Sequence, residues 1–290
     1  MTELPDSSPA DELPAPPLAR PAAPVMSYAP LARSALPGRT PSRALVQAVV
    51  ALATFLAADA FIFAMLALGG AGGQQPSTGE LALDLGGKCA LVCVVIFLML
   101  RRSGEGLASL GLGRPSARQL VLLAPAAMGV CYASNILIFF AYSAARGSTL
   151  EQTASEKMAG LDALSGVSFG AILPLAIAVG FYEEVLFRGL ILSRLTTALS
   201  RGRPGRGSAA AAVVLTAVVF GGLHAYQGPI GVLQVTVLGL VFGALAAASG
   251  NIWACIVAHV GIDTMGLLAT KLIAPHLPEL LNAASRPAGG

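Results

Sequence analysis

Residues 172–195 read ILPLAIAVGFYEEVLFRGLILSRL, with two adjacent carboxylates, Glu183 and Glu184, in the middle of an apolar run and Arg188 one helical turn later. The flanks are hydrophobic enough to lie in a bilayer. A carboxylate at that depth costs about 2.5–3.5 kcal/mol on insertion scales. Fold stability gives no reason to carry two of them. The stretch therefore reads as a membrane helix that holds a site.

The rest of the chain supports a membrane setting. Of 290 residues, 55% are hydrophobic and 11% charged, and mean hydropathy is +0.74. A soluble domain carries about 25% charged residues, and several runs here reach the roughly 20 apolar residues that cross a bilayer as helix. Lipid admits only helices and closed barrels as spanning structures, and long runs without period-two alternation exclude the barrel. The expected fold class is all-α: a polytopic transmembrane helical bundle of about seven spans, within a range of roughly six to eight.

Working outward from the Glu pair, spans are expected at about 44–68, 81–100, 119–142, 167–195, 209–225, 231–248 and 252–273. Residues 1–43, rich in Pro, Ala and Ser, read as a disordered extension. Residues 44–104 form two amino-terminal helices, 105–274 a membrane core, and 275–290 a short tail. All four cysteines, Cys89, Cys93, Cys131 and Cys255, fall in apolar runs and read as small buried hydrophobes, with no disulfide framework. Gly239, Gly243 and Ala247 form a small-residue stripe that suits close helix packing within the chain. Asp59, Asp84 and Lys88 read as interfacial charges, and His276 lies beyond the last span.

Three polar clusters lie inside the apolar runs. In the first, Glu184 and Arg188 share a helix face at i, i+4, while Glu183 points about 100° away. One carboxylate can thus be held ionised by the arginine and the other left to exchange a proton, which is what a general base acting on water requires. A bare structural ion pair would not need the second carboxylate. The second cluster is Phe220-Gly-Gly-Leu-His224, and the third is His259-Val-Gly-Ile-Asp263, in which Asp263 is placed to fix the imidazole tautomer. Together they supply carboxylates and imidazoles for activating water and stabilising an oxyanion. The same inventory suits zinc, but no HExxH helix is present. If a metal takes part, its ligands are Glu183, His224 and His259; the preferred reading has no cofactor. A transporter or proton relay also uses buried Glu, Asp and His, and a non-catalytic immunity or scaffold protein could retain such a set. No inverted repeat supports transport.

In order and spacing, Glu183-Glu184-x-x-x-Arg188, Phe220-x-x-x-His224 and His259-x-x-x-Asp263 resemble the signature of the CAAX protease and bacteriocin-processing (Abi) family of intramembrane proteases. The resemblance covers about residues 105–270, including the connector SLGLGRPS. It implies hydrolysis of a peptide bond of a membrane-associated protein or peptide substrate. By that analogy Glu183 and His224 activate the attacking water, His259 and Asp263 support the oxyanion, and Glu184, Arg188 and Phe220 support the arrangement. An ionised Asp263 cannot itself donate to an oxyanion. With the spans above, Glu183 lies roughly 24 Å from the end at which its helix begins, His224 about 24 Å from the start of its own span, and His259 only about 11 Å. Convergence then requires tilted helices or shifted boundaries.

Basic residues concentrate in alternate loops. Arg20, Arg33, Arg39 and Arg43 precede the first span; Arg101, Arg102, Arg114 and Arg118 follow the second; Arg201, Arg203 and Arg206 follow the fourth. The intervening loops hold only Arg146 and Lys157. The charge pattern speaks to membrane orientation rather than nucleic acid, and puts the amino terminus in the cytoplasm and the carboxyl end outside. Alkaline phosphatase fused after Gly72 or Ile273 is expected to be active, and fused after Arg114 inactive; the opposite activities would reverse this orientation.

Overall fold

The computed structural model describes residues 40–68, 77–159, 161, 164, 166–200, 205–273, 276 and 279. The expected disordered extension lies almost wholly outside the described residues, as do the loop 69–76, the basic turn 201–204 and nearly all of the tail. Pro41 to Arg43, assigned above to the extension, already belong to the first helix.

The helices are α1 (Pro41–Leu68), α2 (Thr78–Ser103), α3 (Ala124–Arg146), a short α4 (Leu150–Ala159), α5 (Phe169–Glu184), α6 (Leu192–Leu199), α7 (Arg206–Leu223), α8 (Gly228–Ser249) and α9 (Trp253–Leu272). A π-helical turn, Gln119–Leu123, leads into α3, and a second, Val185–Ile191, joins α5 to α6. Among the described residues seven helices are long and apolar enough to cross a membrane: Pro41–Phe61, Thr78–Ser103, Gln119–Arg146, Phe169–Leu199, Arg206–Leu223, Ala225–Ser249 and Trp253–Leu272. No strand occurs among the described residues. The protein is an all-helical bundle with seven candidate spans, as its hydropathy implies.

Local sequence sets several helix ends. Ser77 and Glu80 form a reciprocal capping box at the start of α2, and Arg101, Arg102 and a left-handed Gly104 close its far end. Lipid offers helices no hydrophobic drive to associate, so close backbone approach has to supply the packing. Gly239 of α8 sits against Ala217 of α7, and Gly243 against Val213. The small-residue stripe is used within the chain.

Glycines also set the register between α5 and α9. Gly180 lies against Val260 and the Cβ of His259, and Gly189 against Leu110 and Ile252. The two helices run antiparallel, with α9 starting beside Gly189. The helix containing Gly189 continues about ten residues further, to Leu199, or ~15 Å. The depth mismatch expected from the sequence disappears for this reason: α9 does not begin level with the end of its long neighbour.

The start of α9 is held by the connector that follows α2. Gly111, at φ +76°, occupies the left-handed region that glycine tolerates, and its carbonyl accepts the Ile252 N–H at 3.1 Å. The Gly113 carbonyl accepts from Asn251 Nδ2 at 3.2 Å and from Trp253 Nε1 at 2.9 Å. Asn251 Oδ1 in turn accepts the Trp253 N–H at 3.0 Å. Fully buried Arg194 of α6 pairs with Glu105 of the connector at 2.9 Å.

A Cβ at position 239 would lie 3.0 Å from Ala217 Cα, with backbone rather than a flexible side chain in the way. Gly239→Ile is therefore expected to destabilise the bundle by about 1–3 kcal/mol, read as a lowered thermal midpoint in detergent. Gly129→Ala, whose Cβ meets nothing within 4 Å, should leave that midpoint unchanged.

Candidate active site

Glu184 is the most deeply buried carboxylate of the bundle and the centre of its polar cluster. It is 0% exposed, and Arg188 is 3% exposed. Arg188 Nη1 donates to Glu184 Oε1 at 2.7 Å, and His259 Nδ1–H, from the facing α9, donates to the same oxygen at 2.8 Å. Two donors thus compensate the carboxylate from two helices. The pairing spans the start of the π turn at Val185–Ile191, a local widening that the apolar sequence does not announce. Ser193 Oγ donates to the carbonyls of Gly189 and Leu190 within that turn, at 2.7 and 2.9 Å.

Glu183 points elsewhere, as its position on the helix requires. Its Oε1 accepts from the Tyr182 hydroxyl at 3.3 Å. Its buried Oε2 has no hydrogen-bond partner among the described residues and stands 3.8 Å from His259 Nε2. Asp263, one turn along α9, brings Oδ2 within 3.6 Å of the same nitrogen. The Glu pair, Arg188, His259 and Asp263 therefore converge. The shorter contact to the imidazole comes from the facing helix, with Glu184 at hydrogen-bond distance from Nδ1 and Asp263 at 3.6 Å from Nε2.

Phe220 and His224 complete the arrangement from α7. The Phe220 ring lies under the Arg188 guanidinium, 4.4 Å from its carbon to the ring centre, and 6.2 Å from the His259 ring. The Phe220 carbonyl accepts a hydrogen bond from His224 Nδ1 at 2.8 Å. A carbonyl only accepts, so Nδ1 carries the proton and Nε2 of the neutral ring is left as an acceptor. His224 is half-buried at the end of α7. Among the described residues its ring makes this one hydrogen bond, to the Phe220 carbonyl, and none to Glu183.

Sequence reading missed several contributors. Phe242 of α8, fully buried, covers Arg188 from a second side, with its ring centre 5.5 Å away. Tyr182 donates to Glu183, and Gly180 admits His259 and Val260, yet neither residue type stands out in an apolar helix. A shallow groove of about 270 Å³ lined by Tyr132, Asn135, Ile136, Phe139, Phe140 and Gln234 runs between α3 and α8. Tyr132 lies within electrostatic reach of Asp263.

Zinc is a poor fit to this donor set. Among the described residues no three or more His, Cys, Asp or Glu side chains converge as ligands. His259 Nδ1 is already committed to Glu184, and Glu184 to Arg188. The trio Glu183, His224 and His259 does not form a three-donor site.

Removing one partner of a buried ion pair leaves an uncompensated charge. Arg188→Met is expected to cost about 3–5 kcal/mol of stability, measured by thermal or detergent-titration unfolding. The double variant Glu184→Leu/Arg188→Met should recover more than half of that loss.

The comparisons with known proteins agree with this cluster. Residues 165–265, a little over a third of the 290-residue chain, match the family model described as "Type II CAAX prenyl endopeptidase Rce1-like". No curated protein and no solved structure shows a significant match to the chain. The match takes in every residue of the cluster, from Tyr182 to Asp263, and leaves α1, α2, α3 and the connector outside it. Residues 165–265 form a domain of the Rce1-like type II CAAX prenyl endopeptidase family.

Proposed function

We propose that this protein is an intramembrane endopeptidase in which Glu183 turns a water molecule into the nucleophile. The observation that carries the reading is the division of labour between the adjacent glutamates. Among the described residues each glutamate has one buried oxygen without a hydrogen bond, but Glu184, 0% exposed, is held by both Arg188 and His259, whereas Glu183 accepts only the neutral Tyr182 hydroxyl, and its second oxygen stands 3.8 Å from His259 Nε2. A general base needs an oxygen available to the water it deprotonates.

The chemistry follows from the groups that line this spot. Glu183 Oε2 takes a proton from water as the water oxygen bonds to the scissile carbonyl carbon. The acceptor nitrogen of His224 helps orient that water. The carbonyl π electrons move onto oxygen, and the protonated His259 donates its Nε2–H to the oxyanion. Asp263, within 3.6 Å of that nitrogen, favours the imidazolium without having to donate. When the tetrahedral adduct collapses, the C–N bond breaks. Glu183 returns its proton to the leaving nitrogen, leaving a carboxyl product and an amine.

The setting suits a membrane-associated substrate. The exposed aromatic and aliphatic side chains beside the groove between α3 and α8 include Ile136 at 60% and Phe140 at 52% exposure. They offer a chain held in lipid an apolar approach to the buried cluster. The family description points to prenylated carboxyl termini as one substrate class to try.

The test compares membranes from cells carrying wild-type protein and Glu183→Gln. The variant is expected to insert normally, to lose cleavage by at least ~100-fold, and to accumulate membrane-associated precursors visible by quantitative proteomics. A quenched farnesylated peptide provides a direct assay. Unchanged processing would refute the reading. Proton-coupled solute uptake lost in the same variant would point to transport instead.

A further inference from the structure

A second charged cluster lies on the two helices that precede the family-matched residues. Lys88 of α2 pairs with Asp59 of α1 and, one turn back on its own helix, with both oxygens of Asp84 at 3.0 and 3.1 Å. These residues read from the sequence as separate interfacial charges. The structure gathers them, with Lys88 only 12% and Asp84 15% exposed.

Tyr182 stands between this triad and the candidate site. It is 2% exposed, and its ring packs against Phe55 of α1 with centres 6.4 Å apart. Asp84 and Glu183 both act electrostatically on its hydroxyl. A buried hydroxyl is costly without a partner, and two carboxylates compete for this one. Lys88 donates to Asp84 Oδ2, and the phenolic proton goes to Glu183 Oε1, at 3.3 Å.

We propose that Tyr182 is a positioning residue for Glu183: its hydroxyl holds Oε1 and so aims Oε2 at His259. The first helix, through Phe55 packed against the phenol ring, holds Tyr182 in that role. The inference rests on the reading of Glu183 as the base. Glu184 is fixed from two helices, but Glu183, a side chain with three rotatable bonds, has among the described residues this one hydrogen bond beside the longer 3.8 Å approach of its other oxygen to His259 Nε2. A base that wanders loses the benefit of prior alignment. The bond is longer than the ~2.7 Å of a fully formed O–H···O contact. It strengthens when Glu183 is ionised, because a phenol donates more strongly to a carboxylate than to a carboxylic acid.

The test uses Tyr182→Phe in the full chain, which keeps the ring against Phe55 and removes only the hydroxyl. Cleavage is followed on a precursor identified by its accumulation in Glu183→Gln membranes. The expected result is a roughly tenfold to hundredfold fall in kcat, the worth of one hydrogen bond to a charged group, with KM within about twofold. A second readout needs no substrate. The infrared carboxylate band of ¹³C-Glu-labelled protein, assigned by its loss in Glu183→Gln, should shift in Tyr182→Phe. An unmoved band, or an unchanged kcat beside an inactive Glu183→Gln, would overturn the proposal. So would a fall in kcat that tracks a lowered thermal midpoint, since that marks a packing role. A shifted band with an active Glu183→Gln would instead sink the endopeptidase reading and reduce the pair to a structural contact.

Discussion

A carboxylate with no exposed surface cannot stay charged in an apolar bundle unless cations and donors surround it. Glu184 is in that position, and much of the surrounding structure answers its need. Arg188 reaches it along its own helix, His259 from the facing one, and the rings of Phe220 and Phe242 lie against the Arg188 guanidinium. Each helix that supplies a partner is thereby tied to α5. Burying such a pair contributes little net stability and often costs some. What it provides is a single allowed arrangement of α5, α7, α8 and α9.

That arrangement depends on backbone proximity as much as on charge. Gly180 lets α9 come close enough for His259 Nδ1 to reach Glu184, and a Cβ there would meet Val260 Cγ2 at 2.9 Å. Gly189 does the same one layer away, against Leu110 and Ile252. Two glycines on one helix therefore set both the separation and the register of its neighbour. The imidazole is placed relative to the carboxylates by packing as well as by its hydrogen bond.

How legible this was in the sequence varied with the range of the interaction. Spans could be read because a run of about twenty apolar residues suits a bilayer crossing and little else. The charged clusters stood out because charge is rare in such runs, and i, i+4 geometry correctly paired Glu184 with Arg188. The same local rule paired His259 with Asp263, whose Oδ2 does stand 3.6 Å from Nε2, but could not show the shorter bond from Nδ1 to Glu184, 75 residues earlier. Tyr182, Phe242 and the Arg194–Glu105 pair escaped notice because aromatic residues are common in membrane helices and their partners are distant in sequence. The π turn left no local trace, since an apolar run suits either helical form. The family resemblance read over about residues 105–270 is carried by a match of narrower extent, 165–265.

The connector before α3 bears on what can be moved between relatives. Ile252, Asn251 and Trp253 all bond to carbonyls of Gly111 or Gly113, Gly189 rests on Leu110, and Arg194 pairs with Glu105. Every one of those partners precedes residue 165. The stretch that is recognisable by descent is thus smaller than the stretch that can hold its own shape. A graft of residues 165–265 into another scaffold would carry the acids and imidazoles but leave behind the loop that seats α9. Any chimaera has to include that loop if His259 is to arrive opposite Glu184.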